Sequence, residues 1–102
     1  MLSIDRRPDG VVVIAGRLDA AQALAVQQFL DRVEGVVTLD LAGLEYISSA
    51  GLGVLLKTQK RLMNSAGRLQ LVGVGYVRFL LQQVGVADES AGGGEKQTLV
   101  LR

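Results

Sequence analysis

Residues 40–56, DLAGLEYISSAGLGVLL, predict a buried strand that leads into the start of a helix. A mainly apolar segment that begins at Val36 extends into this stretch and ends at Ser48 and Ser49. Leucines at helical spacing come after the two serines. The first amide N–H groups of a helix have no intrahelical acceptor. A serine at this break is therefore placed either to cap the helix or to carry a phosphate. If the serine only caps the helix, the domain has no switch. If the serine carries a phosphate, the domain is regulated by phosphorylation.

Turn chemistry and periodicity predict the other elements. Residues 2–6 and 11–15 flank Pro8-Asp9-Gly10, which predicts a β-hairpin because proline presets φ and glycine adopts a positive φ. The uninterrupted apolar run 11–14 is typical of a strand that is covered on both faces. The remaining predicted elements are a helix from Ala20 that ends at Gly35, a strand over 36–41, a helix over 52–63 that stops at Gly67, a strand over 69–72, a helix over 76–84 and an edge strand over 98–101.

This alternation of strands and helices predicts an α/β fold. Because strand–helix–strand crossovers are right-handed and join parallel strands, we expect a mixed β-sheet with parallel central strands after the N-terminal hairpin, packed by α-helices. Residues 1–102 form a single predicted domain with its core over about 3–86, and the glycine-rich segment 91–94 is flexible by composition.

The composition excludes several classes of function. The chain of 102 residues has 11 Lys and Arg, 10 Asp and Glu, and no basic run, so it lacks the charge pattern of a nucleic-acid-binding protein. It has no cysteine and no histidine, which removes thiolate chemistry and the commonest general base and metal ligand. We therefore expect no catalytic residues, no metal and no cofactor. The N-terminus lacks a signal-peptide pattern and no apolar run could span a membrane, so the expected location is the cytoplasm.

Two motifs closely resemble those of STAS domains, the family named for sulphate transporters and anti-sigma factor antagonists. The first is residues 40–55 and the second is Gly16-Arg17-Leu18-Asp19, and the resemblance extends over about residues 3–86. It implies the STAS fold and, for a free-standing bacterial member, an anti-anti-sigma factor. Such a protein binds an anti-sigma factor that is also a serine kinase of the ATPase type. Phosphorylation ends that binding and a serine phosphatase restores it; a monomer is expected.

The resemblance also assigns the site. Alignment on Gly51-Leu52 places the family's phosphoserine on Ser49, in preference to Ser48. Many members have an aspartate before the phosphoserine and a second serine after it. This chain has Ser48 and Ala50 at those two positions. A recognition role for Asp19 follows if its strand neighbours the helix start. The predicted partner-binding residues are Asp19, Ser48, Ser49, Ala50, Gly51, Leu52 and Gly53.

Plainer interpretations stay open for the same residues. Ser48 is expected to be a cap or spacer rather than the phosphate acceptor. Ser49 and Asp19 are also suitable as helix caps, and Gly51 and Gly53 would let a helix pack close to the sheet as readily as they would admit a partner. Leu52 is expected to be core rather than interface, as are Phe29 and Phe79.

Two other functions compete with the partner switch. A STAS accessory subunit of a lipid-transporting ABC complex would use the same surface to dock permanently on an ATPase subunit. An enzyme, for example a nucleotide hydrolase, ranks last because the chain has neither a GxxxxGK[ST] phosphate loop nor a matched pair of carboxylates.

Overall fold

The computed structural model describes residues 1–83, 87–89 and 99–101. Strands and helices alternate after an initial hairpin, as the sequence predicts. The elements are β1 Leu2–Arg6, β2 Val12–Leu18, α1 Ala20–Leu30, β3 Val36–Asp40, β4 Leu44–Ile47, α2 Ser49–Met63, β5 Arg68–Val72, α3 Gly75–Gln83, β6 Ala87–Glu89 and β7 Leu99–Leu101. The described strands form one sheet in the order β1-β2-β3-β5-β7-β6, with β4 also paired to β2. Because β1 is antiparallel to β2, while β2 runs parallel to β3 and β4 and β3 parallel to β5, the predicted mixed sheet with parallel central strands is confirmed.

The β1–β2 hairpin closes through the predicted turn. The Gly10 N–H donates to the Arg7 carbonyl over 2.9 Å, and Gly10 has a φ of +88°. The Asp9 carboxylate accepts the Val11 N–H at 3.0 Å, and this hydrogen bond is the main cause that lowers the pKa of Asp9 below its ordinary value. Each turn residue therefore has a distinct role: Pro8 presets φ, Asp9 accepts a backbone N–H and Gly10 adopts the positive φ.

The strand β4 is not among the predicted elements. The chain turns over residues 41–43 after β3, where the Asp40 carboxylate accepts the Ala42 N–H at 3.0 Å, and then resumes as β4 alongside the second half of β2. A bulge at Gly16 accommodates the change of partner: Gly16 has a φ of +95° and donates its N–H to the Gly43 carbonyl over 2.9 Å. One strand, β2, thus positions the ends of both β3 and β4.

Among the described residues, the fully buried side chains of β2 lie on one face of the sheet, so the expectation that both faces of residues 11–14 are fully covered is wrong. Val12 and Ile14 are fully buried, whereas Val11 and Val13 are half-buried. Buried residues of all three helices belong to one core cluster with the inward side chains of the sheet, so the helices cover the same face. Alternate residues of β2 therefore point away from the helices.

Among the described residues, five large apolar side chains are exposed: Met1, Leu24, Val36, Met63 and Phe79. Phe79, predicted as core, is 62% exposed, because α3 buries Val77 and Leu81 and turns residue 79 outward. Leu24 in α1 is 69% exposed although it belongs to the apolar pattern that predicts that helix. Phe29 is partly buried against the core, close to its expected place.

Gly67 takes part in the motif that ends α2, but it is not the residue in the left-handed conformation. The Gly67 N–H donates to the Leu62 carbonyl over 2.7 Å and the Ala66 N–H to the Met63 carbonyl over 3.3 Å, the bond pair of a Schellman motif. The residue in the left-handed conformation is Ala66, with a φ of +62°. Gly67 is instead needed because a Cβ there would collide with the Gly35 carbonyl oxygen.

Ala66→Gly is expected to raise the free energy of unfolding by about 0.5–1 kcal/mol, because glycine adopts this φ without the steric cost that alanine meets. Urea denaturation of both proteins measures the difference. Ser65→Gly, at a neighbouring position without a positive φ, serves as the control and should be destabilising. A less stable Ala66→Gly protein would contradict the strain argument.

Two short strands complete the described structure. The strand β7 lies between β5 and β6, so the expectation of an edge strand over 98–101 is wrong, and β6 forms the edge of the sheet opposite β1. The glycine-rich segment 91–94 and residues 84–86 lie outside the described residues. Among the helices that are described, none combines the length and the apolarity needed to cross a bilayer.

Candidate functional site

The candidate site lies where α1 and α2 begin at one edge of the sheet. The strands β2 and β4 are parallel and pair Leu18 with Ile47, so the residues that follow each of them emerge together. The Ser48 N–H donates to the Leu18 carbonyl over 2.9 Å and thereby joins the two helix starts. A recognition role for Asp19 required its strand to lie next to the strand that precedes the serine pair. The pairing of β2 with β4 meets this requirement.

Ser48, and not Ser49, caps helix α2. The Ser48 hydroxyl accepts the Gly51 N–H at 3.1 Å, and its carbonyl accepts the Leu52 N–H at 2.9 Å. Its backbone is extended, with φ −87° and ψ 171°, as an N-cap requires. The half-buried Ser48 side chain is therefore committed to the fold, and the interpretation of Ser49 as the cap is wrong.

Ser49 is the first residue of α2 and its side chain is exposed. The amide groups of Ser49 and Ala50 occupy helix positions that have no intrahelical acceptor. No acidic side chain stands in the first turn of α2, so the positive end of the helix dipole is not offset there by a carboxylate. An anion on the hydroxyl of Ser49 would thus meet a favourable field and no neighbouring negative charge from that turn.

Gly51 and Gly53 have different structural roles. A Cβ on the buried Gly51 would lie 2.8 Å from a side-chain carbon of Ile47 and 2.9 Å from the Leu18 carbonyl oxygen, so this glycine lets α2 approach the sheet. A Cβ on Gly53 would have no heavy atom within 4 Å. Of the two, only Gly53 leaves open space on the outer surface, while half-buried Leu52 packs against the core.

Asp19 caps α1 and remains partly accessible. Its backbone is extended and its carboxylate accepts the Gln22 N–H at 3.1 Å. The capping interpretation of Asp19 is confirmed by this contact. A carboxylate has two oxygens, so capping leaves acceptor capacity toward a partner.

Arg17 and Tyr46 flank the site, and the sequence interpretation did not single them out. The guanidinium carbon of Arg17 lies 4.5 Å from the centroid of the Tyr46 ring, and the two residues are paired between β2 and β4. This cation–π contact holds the ends of both strands together just before the helix starts. Their separation in sequence, 29 positions, leaves no local signal for it. In the part of the chain that is described, no cluster of three acidic, histidine or cysteine side chains could hold a metal ion.

Comparison with known proteins agrees with this geometry. The sequence profile of the family described as "Mlab, STAS domain" matches residues 3–101. The chain belongs to the STAS domain family. No curated protein shows significant similarity to the sequence of this STAS domain.

Two solved structures show the same fold. The structure of the anti-sigma factor antagonist SpoIIAA in its unphosphorylated form is 22% identical with a TM-score of 0.63, over 83% of this chain and 84% of that one. The crystal structure of Mglu is 23% identical with a TM-score of 0.53, over 68% of this chain and 18% of that one. The predicted STAS fold is thereby confirmed: it matches most of the first of these chains and a small part of the second.

Proposed function

We propose that this STAS domain is an anti-sigma factor antagonist whose binding is switched by phosphorylation of Ser49. The observation that carries the proposal is the pair of serines at the start of α2: Ser48 supplies the cap, which leaves the exposed Ser49 hydroxyl free of that structural task. The similarity in fold to SpoIIAA supports the same class of function. The partner would be a cytoplasmic anti-sigma factor that is also a serine kinase. A serine phosphatase would reset the switch, and the domain itself would act by binding and not by catalysis.

The energetics fit a switch that leaves the domain folded. A phosphoserine carries a charge of roughly −1.5 to −2 at neutral pH, and a helix N-terminus favours an anion by about 0.3–1 kcal/mol at an exposed site. Burying that charge unpaired against a partner costs several kcal/mol, and each 1.4 kcal/mol is about tenfold in affinity. One phosphate on Ser49 would therefore block association without unfolding α2.

The test is a pair of substitutions at Ser49. The partner kinase is first captured with the wild-type chain from its native cells, identified by mass spectrometry and produced in recombinant form. We expect Ser49→Asp to weaken binding by about 100-fold or more, because a fixed negative charge would enter the interface, and Ser49→Ala to bind like wild type but accept no phosphate. Calorimetry and phosphate incorporation measure the two effects.

The matched control is Ser48→Ala. Removing this cap should cost about 1 kcal/mol of stability while phosphate is still incorporated at residue 49. If Ser49→Asp and Ser49→Ala both bound and incorporated phosphate like wild type, the switch would be excluded.

A second candidate is a STAS accessory subunit that docks permanently on the ATPase subunit of a lipid-transporting ABC complex. It is supported by the family description "Mlab, STAS domain", whereas the Ser48-Ser49 pair weighs against it. Co-purification with transporter subunits, without phosphoserine in the mass spectrum, would select this function over the switch.

A further inference from the structure

A cavity of about 190 Å³ lies at the C-terminal end of α1, outside the candidate site. Its lining consists of Arg6 from β1 and of Phe29, Arg32 and Val33 from the end of α1 and the turn that follows, and we call it the Arg6–Arg32 cavity. Two guanidinium groups thus converge on an aromatic ring and a buried aliphatic side chain. Apolar walls with a few convergent polar groups are typical of a small-molecule site.

The alternation of β1 explains why Arg6 reaches this cavity. Leu2 and Ile4 pack against the core, and Arg6 follows them at the same spacing of two, so it lies on the face of β1 that the helices cover. Its neighbour Asp5 therefore lies on the other face of the strand, away from the cavity. Arg6 makes no ion pair with any described residue, so its guanidinium is available to an anion.

Arg32 is likewise not committed to the fold. A cation just beyond a helix end normally interacts with the last carbonyl groups of that helix. Here Arg61 of α2 has this role, because its guanidinium donates to two backbone carbonyls at the end of α1. The acids nearest to Arg32 in sequence are Asp31, which accepts the Gln27 side-chain amide at 2.9 Å, and Glu34. Neither of them forms an ion pair with Arg32.

The volume of the cavity limits the size of its ligand. An apolar protein cavity of about 150 Å³ holds one benzene molecule. The Arg6–Arg32 cavity, at about 190 Å³, therefore accommodates one aromatic ring with a group of the size of a carboxylate. A carboxylate accepts paired hydrogen bonds from a guanidinium, and an aromatic ring packs favourably against the ring of Phe29. An aromatic acid satisfies both kinds of lining, whereas a bare anion or a neutral ring satisfies only one.

We propose that the Arg6–Arg32 cavity binds a small aromatic carboxylate. The ring lies against Phe29 and Val33, and the carboxylate lies between the guanidinium groups of Arg6 and Arg32. This site does not depend on the proposed function, because the eleven residues of α1, about 16 Å of helix, separate it from the sheet edge that carries Ser49. A bound ligand would join the edge strand β1 to the end of α1.

Benzoate is the probe, and NMR titration of the isotope-labelled full-length chain measures its binding. We expect saturable shifts of the amide signals of the four lining residues, with a dissociation constant of about 1 mM, as suits a ligand of so few atoms. Acetate lacks the ring and benzyl alcohol lacks the charge, so each should bind at least about tenfold more weakly than benzoate.

Two variants and a matched control locate the binding. Arg6→Gln and Arg32→Gln should each raise the dissociation constant for benzoate by about fivefold or more, because each removes one charged donor. Arg68→Gln removes an equally exposed cation from β5, outside the cavity, and should leave it within about twofold. Thermal unfolding confirms that each variant is folded.

Three results would overturn the proposal. In the first, benzoate causes no saturable shift of the lining residues. In the second, acetate or benzyl alcohol binds as tightly as benzoate, so that either the charge or the ring alone accounts for binding. In the third, Arg68→Gln weakens binding as much as Arg32→Gln does, which would reduce the effect to net charge. None of these results depends on whether Ser49 is phosphorylated.

Discussion

Gly51→Ala is expected to lower the free energy of unfolding by about 2 kcal/mol. The new methyl would lie 2.8 Å from the side chains of both Ile47 and Leu18 and 2.9 Å from the Leu18 carbonyl oxygen. That oxygen also accepts the Ser48 N–H, so α2 cannot move away without loosening the bond that joins the two helix starts. Overpacking costs about 1–3 kcal/mol, and a backbone collision lies at the upper end of that range. The gain in helix propensity offsets only about 1 kcal/mol.

Gly53→Ala is the matched control and should have the opposite sign. Its methyl would have no heavy atom within 4 Å, so the gain in helix propensity, about 0.5–1 kcal/mol, is not opposed. Thermal denaturation should therefore show Gly51→Ala melting about 10 °C below wild type and Gly53→Ala melting a few degrees above it. Equal shifts for the two variants would show that close packing of the first turn does not distinguish these glycines.

The hairpin, the helices and the parallel sheet could be predicted because their signals are local. The turn at Pro8-Asp9-Gly10 forms as its residue types require, and Gly10 takes the positive φ. The strand β4 gave no such signal, since its four residues become a strand only by pairing with β2 beyond the bulge at Gly16. The interruption at Ser48 and Ser49 was visible in the sequence, but the turn over 41–43 and the strand that precede it depend on contacts that are distant in the chain.

The candidate site could be located from the sequence, and the expectation that Ser48 is a cap is confirmed, but local preference alone also allowed Ser49 to be one. Ser48 and Ser49 are adjacent residues of the same type, and local preference gives both a place at a helix start. A tertiary contact decides between them, because the Ser48 N–H is held by the Leu18 carbonyl and this fixes where the helix begins. The exposure of Leu24 was hidden for a related reason: in an uncharged helix, apolar spacing does not show which apolar side chains face the core.

Replacing Arg61 is expected to loosen the other end of the helix pair. The Arg61 Nη2 atom donates to the carbonyl oxygens of Leu30 and Val33, at 2.8 and 2.6 Å, and so satisfies the end of α1 from a side chain of α2. Both acceptor residues are buried, so water would not readily replace the guanidinium. Arg61→Ala should therefore lower the free energy of unfolding by about 2–3 kcal/mol, the cost of losing a charged donor to buried acceptors.

Two controls make this prediction specific. Lys60→Ala removes a cation from the next, exposed position and should change the stability by less than about 0.5 kcal/mol. Arg61→Lys keeps the charge near the negative end of the α1 dipole but loses the planar two-bond geometry, so about half of the stability should return. Urea denaturation measures all three variants. If Arg61→Ala were as stable as Lys60→Ala, the carbonyls of α1 would have to find other donors, and the coupling of the two helix ends would be refuted. Because this contact lies at the far ends of the helices from Ser49, the loss should not alter which residue is phosphorylated.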